Sequence, residues 1–372
     1  MSAIEIIGMI GVNRERDSSR GVTVSLFGGG INPADEIPSG IDPEYITEFA
    51  QTHEASGFDK VLLGYSSATA DGFAVAGYAA SHTETLGYLI AHRAGFMAPT
   101  LAARHAATLD QLTGGRIALH VITGGSDQEQ RRDGDWLDHD SRYRRTDEFM
   151  EVLRRVWTET VPFDHEGEFY HLEQTHSQVR TRQKPHIPLY FGGASDAAKE
   201  VGAKRADVYA LWGEPLAAIK EQIADIQARA ARYNRSVKFS VSVRPILGDT
   251  EGEAWERARG ILERVKGSVG ETVGPSRPAR LQSVGSKRLL DFAAKGELHD
   301  QRLWMPIAAA TGAAGSTSAL VGTAEQVAES LLAYYDAGCT TVLIRGFDPL
   351  QDTIDYGKEL IPMLRDEAAK RG

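Results

Sequence analysis

The stretch Pro188-Leu189-Tyr190-Phe191-Gly192-Gly193-Ala194-Ser195-Asp196-Ala197-Ala198-Lys199-Glu200 decides how this chain is read. Leu189, Tyr190 and Phe191 have the character of a buried strand. Gly192 and Gly193 let the backbone turn sharply and let another group approach closely. Ser195 stands where the N-cap or first turn of a helix would stand, and Ala197 to Val201 continue that helix. The free N–H groups and partial positive charge of a helix start suit a phosphate. An ordinary strand-to-helix turn with a capping serine would read the same way, so the rest of the chain has to decide.

Working outward, strands and helices alternate. Strands are expected at 4–12, 60–64, 86–94, 116–123, 189–191, 207–211, 237–247 and 340–345. Helices are expected at 43–56, 71–81, 98–112, 142–158, 197–201, 215–233, 251–265, 323–336 and 350–370. Asp42 caps the first of these helices and Pro43 opens it. Strands joined by crossover helices make parallel sheet. Eight of them predict an α/β fold of the (β/α)8 TIM-barrel type, in one domain over residues 1–372. Insertions are expected at about 13–40, 160–185 and 266–315, the second with a hairpin around Glu166-Gly167-Glu168. An open doubly wound sheet would usually show G-x-G-x-x-G after its first strand, and that pattern is missing.

Composition narrows the function. The chain has 372 residues and a net charge of −10, which argues against a nucleic-acid or anionic-membrane surface. Its one cysteine, Cys339, excludes an internal disulfide and sits in an apolar run as a buried thiol. No secretory signal and no membrane-length apolar run is seen, so a cytoplasmic protein is expected. The 11 histidines show neither H-x-x-x-H nor H-E-x-x-H, so no metal site is expected. G-x-S-x-G and the P-loop are absent as well.

In a TIM barrel the chemistry belongs to the loops after the strands. These carry Tyr65, Ser66 and Thr69; Thr123 to Ser126 and Glu129; Gly193, Ala194 and Ser195; Trp212 and Glu214; Arg244; and Arg345 and Phe347. Glycines, hydroxyls, aromatics and arginines around one helix start suit a phosphorylated cofactor that brings its own chemistry. Several candidate residues, in these loops and beside them, also have plainer readings. His120 could be a satisfied core histidine. Arg142 and Tyr143 could be a solvated helix face. Trp212 could be packing, and Glu214 a solvated loop residue. Arg244, among Val241, Val243 and Ile246, needs a partner, and a strand end lining a pocket supplies one.

The run Ala102-Ala103-Arg104-His105-Ala106-Ala107-Thr108-Leu109-Asp110-Gln111-Leu112-Thr113-Gly114-Gly115-Arg116 resembles a segment of the bacterial luciferase-like monooxygenases. So do Val121-Ile122-Thr123-Gly124, Asp138 to Tyr143, Pro188 to Ser195 and Ala319 to Thr323, in the same order along the chain. Leu211-Trp212-Gly213-Glu214-Pro215 resembles the alkanesulfonate monooxygenase branch. The resemblance implies a two-component enzyme that uses reduced FMN from a separate NAD(P)H-dependent flavin reductase. It also implies that O2 reacts through a flavin peroxide of the C4a type and that the small-molecule substrate is oxygenated. A homodimer or homotetramer is the usual assembly.

Carried over by motif, the FMN contacts fall on Tyr65, Ser66, His120, Glu129, Arg142, Tyr143, Gly193, Ala194 and Ser195. His120 replaces an asparagine of close relatives. Arg244 and Trp212 take the catalytic roles, and Thr69, Arg345, Phe347 and Arg14 the substrate-binding ones. The sulfonate constellation is largely replaced. Thr69 stands for a cysteine, Ser242 and Arg244 for an Arg-x-His pair, and Phe347 and Pro349 for a Tyr-x-His pair. No arginine is clear near Gly312. The expected substrate is therefore a small polar, anionic organosulfur or related molecule. The 13–40 and 266–315 segments, with Arg14, Arg16 and Arg20 in the first, are expected to hold the lid. A deazaflavin-dependent oxidoreductase and a non-catalytic flavin-binding protein on the same fold are the alternatives.

Overall fold

A computed structural model describes residues 4–14, 40–272, 283–313 and 315–371. β1 (Glu5–Met9), β2 (Lys60–Leu63), β3 (Gly87–Arg93) and β4 (Ile117–Ile122) pair in parallel in that order. β7 (Leu189–Gly192), β8 (Val208–Trp212), β9 (Lys238–Leu247) and β13 (Cys339–Ile344) continue the ring, and β13 pairs back onto β1. The eight-stranded parallel barrel is therefore closed, as the alternation of strands and helices predicts.

Side chains alternate across each strand. Ile6, Val61, Tyr88, Ile90, Leu119, Phe191 and Val241 face outward into one apolar layer shared with the surrounding helices. Ile7, Met9, Leu62, Leu89, Ala91, Ala118, Tyr190 and Val208 fill the barrel interior. A polar plug sits among the first residues of the strands. The Glu5 carboxylate accepts from the Tyr190 hydroxyl at 2.6 Å and the Thr341 hydroxyl at 3.0 Å, and it pairs with Lys60.

Elements outside the barrel repeat lie between β4 and β7 and beyond β9. β5 (Phe163–Glu166) and β6 (His171–Thr175) form the expected hairpin. The 160–185 segment is pinned by Asp110 of the Pro99–Leu112 helix. This fully buried carboxylate accepts from the Arg182 and Gln183 backbone N–H groups at 2.6 and 3.0 Å. One motif carboxylate is thereby absorbed by folding rather than chemistry. β9 is long enough to serve two sheets. Its first half closes the barrel, and Arg244 to Leu247 pair with β12 (Ala319–Gly322).

The helix expected at 251–265 runs further, as Glu251–Thr272. Beyond it the weakly periodic 266–315 segment holds the Val284–Lys295 helix, the short strands β10 (Leu298–His299) and β11 (Leu303–Trp304), and the Pro306–Ala310 helix. Cys339 is fully buried, as expected. No helix among the described residues is long and apolar enough to cross a membrane.

Candidate functional site

The opening stretch folds as read. β7 ends at Gly192, and the Asp196–Arg205 helix starts four residues later with Ser195 as its N-cap. The Ala198 N–H donates to the Ser195 hydroxyl at 3.2 Å. Gly193 has φ +151, and a Cβ there would lie 2.5 Å from the Ala198 Cβ and 3.3 Å from the Tyr143 hydroxyl. Only glycine fits, so backbone and helix start are brought together. The Gly193 carbonyl is held by the Tyr209 hydroxyl at 2.7 Å. The Tyr143 hydroxyl bonds to Ser195, and burial raises its pKa. Ala194 and Ser195 are half-buried at the barrel mouth.

Inside the barrel, His120 stands between Ala91 and Tyr190 on the neighbouring strands. It is not a satisfied core histidine. Its Nδ1 has no hydrogen-bond partner among the described residues, and burial pushes its pKa down to about 4. The ring is therefore neutral at pH 7, with one nitrogen left for something else.

A second group joins the exits of β2, β3 and β4. Glu129 accepts from the Ser67 N–H at 2.7 Å and pairs with Arg93 at 2.6 Å. The Arg93 guanidinium lies 4.6 Å from the Tyr65 ring centre and 5.5 Å from that of Phe96. The Tyr65 hydroxyl donates to Asp133 at 3.3 Å. Ser66 is buried, and Thr69 is exposed with its hydroxyl folded back onto Ser66. Sequence reasoning missed Arg93. The signal was present, because Leu89, Ala91 and Arg93 alternate along β3 and an arginine ends that buried strand.

Arg142 corrects the reading of a solvated helix face. It is 2% exposed, with Nη1 donating to the Leu137 carbonyl at 2.6 Å and Nη2 to Asp127 at 2.8 Å. These bonds fix the loop between the Asp127–Arg132 and His139–Thr158 helices. Arg14 lies elsewhere than expected. It pairs with Glu48 and covers the Tyr45 ring on the Pro43–Ala55 helix, in the layer outside the barrel. Arg16 and Arg20, and most of the expected 13–40 lid, fall outside the described residues.

Arg244 emerges at the level where β9 leaves the barrel. It is 3% exposed, and its Nε and Nη1 donate to the carbonyls of Ser316 at 3.2 Å and Gly346 at 3.1 Å. Its guanidinium lies 5.0 Å from the Phe347 ring centre. Burial, and then the charge of Arg345, push its pKa well below the ordinary arginine range. Arg345 is itself buried and reaches the Met9 sulfur at 3.2 Å. No described carboxylate forms an ion pair with Arg244.

Trp212 is half-buried at the end of β8. Glu214 corrects the reading of a solvated loop residue. It is 2% exposed and pairs with Arg288 at 2.5 Å.

The strand exits therefore gather a helix-start cradle, an unpaired neutral imidazole, an Arg–Glu–aromatic cluster and a cationic, aromatic corner. Comparison with known proteins places the fold. The family model described as "Luciferase-like monooxygenase" matches residues 22–341. A riboflavin lyase solved with modified FMN and riboflavin is similar, with a TM-score of 0.76, 19% identity, and coverage of 98% of this chain and 92% of that one. The EDTA monooxygenase from Chelativorans sp. BNC1 superposes with a TM-score of 0.72 at 17% identity, covering 98% of this chain and 94% of that one. The coenzyme F420 dependent tetrahydromethanopterin reductase from Methanopyrus kandleri shares the fold with a TM-score of 0.67 at 16% identity, over 98% of this chain and 100% of that one. With a closed parallel barrel and a family match over most of its length, this chain belongs to the luciferase-like monooxygenase family.

Proposed function

We propose that this protein is the oxygenating component of a two-component monooxygenase that uses reduced FMN and O2 on a small polar, anionic organosulfur or related substrate. The observation that carries the reading is the cradle at the β7 exit. A backbone position that admits only glycine, a serine-capped ten-residue helix and a tyrosine hydroxyl on that serine meet beside the barrel mouth. These donors fit a phosphate, and the unpaired Nδ1 of His120 fits a polar edge of a planar ring.

When bound, reduced FMN would supply the electrons for oxygen activation. In this reading Ser195, Gly193, Ala194 and Tyr143 hold the phosphate end. His120, Tyr65, Ser66 and the Glu129–Arg93 pair border the ring, and Arg142 holds the neighbouring loop. Arg244, with Arg345 and Phe347, orients an oxyanion of the substrate, and Trp212 walls the cavity. Thr69 shapes the turn below Ser66. A separate NAD(P)H-dependent flavin reductase, a homo-oligomeric assembly, a cytoplasmic location and kinship with the alkanesulfonate branch complete the proposal.

The second reading is a deazaflavin-dependent oxidoreductase, favoured by the shared fold of the coenzyme F420 dependent reductase. Anaerobic titration separates the two. Stoichiometric binding of reduced FMN, followed by O2-dependent turnover of added organosulfur anions, supports the monooxygenase. Tight binding of coenzyme F420 with no binding of reduced FMN overturns it.

A further inference from the structure

We propose that the Val284–Lys295 helix is the wall that sets the width of the barrel mouth, and that Glu214 is the positioning residue that holds it there. β8 ends at Trp212, and Gly213-Glu214 follows, so one strand exit grips this helix at two points. The first grip is steric. A Cβ on Gly285 would lie 3.1 Å from the Trp212 ring, tighter than most carbon contacts, so adding one would push the helix or the indole back by a few tenths of an ångström. The second is ionic and lies three residues on, on the same helix face. Arg288 Nε donates to Glu214 Oε1 at 2.8 Å, and Nη2 donates to Oε2 at 2.5 Å.

The carboxylate is itself fixed by other elements. Gln222 of the Leu216–Ala231 helix donates to Oε2 at 2.9 Å. Tyr334 of the Ala324–Asp336 helix donates to the Glu214 carbonyl at 2.8 Å. Glu214 therefore belongs to the rigid barrel, and Arg288, whose side chain is 29% exposed, belongs to the element being held. On the helix's other contacts, Ser286 donates to the Ala313 carbonyl at 2.8 Å and Leu289 is fully buried. Ser283, the N-cap, comes up to Gly125 after β4, where an added Cβ would lie 3.8 Å from the Ser283 Cβ. The helix thus bridges the exits of β4 and β8. A two-point charge-assisted contact with a buried carboxylate gives one defined position, because moving away strands that carboxylate without its cation. With Gly285 packed against Trp212, the position of this helix then limits the size of what enters the barrel mouth. That last step rests on the reading of Trp212 as a cavity wall; the grip itself does not.

The test uses the full chain labelled with 5-fluorotryptophan, with the Trp212 fluorine resonance assigned through Trp212→Phe. Glu214→Gln and Arg288→Met should each shift or broaden that resonance. They should also speed trypsin cleavage after Lys287 about tenfold, equivalent to about 1.4 kcal/mol. Arg288→Lys should restore part of the protection. Gly285→Ala should move the same resonance with the ion pair intact. If Glu214→Gln does not fold, Arg288→Met carries the test, since it leaves the buried side of the contact in place. A Trp212 resonance and a cleavage rate unchanged in Arg288→Met overturn the proposal. Loss of FMN binding with the resonance response intact would count against the functional reading alone.

Discussion

Replacing Gly193 by alanine tests the cradle at its tightest point. The new Cβ would lie 2.5 Å from the Ala198 Cβ and 3.3 Å from the Tyr143 hydroxyl. Carbon atoms at rest sit about 3.5–4.0 Å apart, so the strand exit or the helix must give by about 1 Å. The backbone there has φ +151, which a side chain makes unfavourable. Strain of that kind costs about 1–3 kcal/mol, and overpacking adds about as much. Taking about 3 kcal/mol in all, a chain of 372 residues should melt about 4 °C lower. The displacement falls on Ala198, whose N–H donates to Ser195, and on Tyr143, which bonds to the same serine.

Affinity should then fall selectively. FMN should bind about 10- to 100-fold more weakly, the worth of one hydrogen bond to a charged group. Riboflavin, which has no phosphate, should lose far less. Parallel titrations of the parent and Gly193→Ala proteins with both ligands, with calorimetric melting alongside, measure each effect. Equal losses for FMN and riboflavin, or full FMN affinity in a destabilised variant, would refute the reasoning.

Other perturbations reach different parts of the molecule. Burial holds His53, His92 and His120 at about 4, below the unfolded value of 6.5. The unfolded chain therefore binds the extra protons first, and stability falls as pH drops from about 6.5 toward 4. At pH 5 each histidine costs up to about 2 kcal/mol, and a melting temperature that is flat from pH 7.5 to 5 would exclude this. Glu5→Gln breaks the plug that joins Lys60, Tyr190 and Thr341 and should cost about 2–3 kcal/mol, with FMN affinity unchanged. A linked loss of FMN binding would show that the two ends of the barrel are coupled. Arg244→Lys cannot keep two carbonyls and the Phe347 ring together. Turnover should fall at least about tenfold, and flavin affinity should hold; unchanged turnover removes Arg244 from the site.

Much of the architecture was legible because it rests on local pattern. The β7 run, the glycine turn and Ser195 are contiguous in sequence, and they fold as a strand, a close approach and a capped helix. Each barrel strand announces itself by its length and apolar content, and the hairpin by its turn residues. Boundaries slipped where pattern was weak, as at Thr272 and across 283–310; the Glu251–Thr272 and Pro306–Ala310 helices take their order from packing with β12 and Trp304, and the Val284–Lys295 helix from its contacts with the main core. The expectation for Arg14 failed for a related reason. Its position near a predicted loop said nothing about the Pro43–Ala55 helix, whose Glu48 and Tyr45 claim it.

What the sequence determined by itself was therefore the repeating unit, the order of the strands and the glycine–serine turn where a phosphate would be held. These depend on neighbours along the chain. The tertiary structure alone decided which charges are used up in folding and which face the mouth. Asp110, Arg142 and Glu214 are each matched by partners from segments read as insertion, loop or lid. Arg93, Arg244 and His120 sit at the mouth or inside the barrel because strand alternation and barrel closure bring them there. A buried charge is defined by what surrounds it. For this chain those surroundings come from strands up to the whole length of the barrel apart, and only closing β13 onto β1 assembles them.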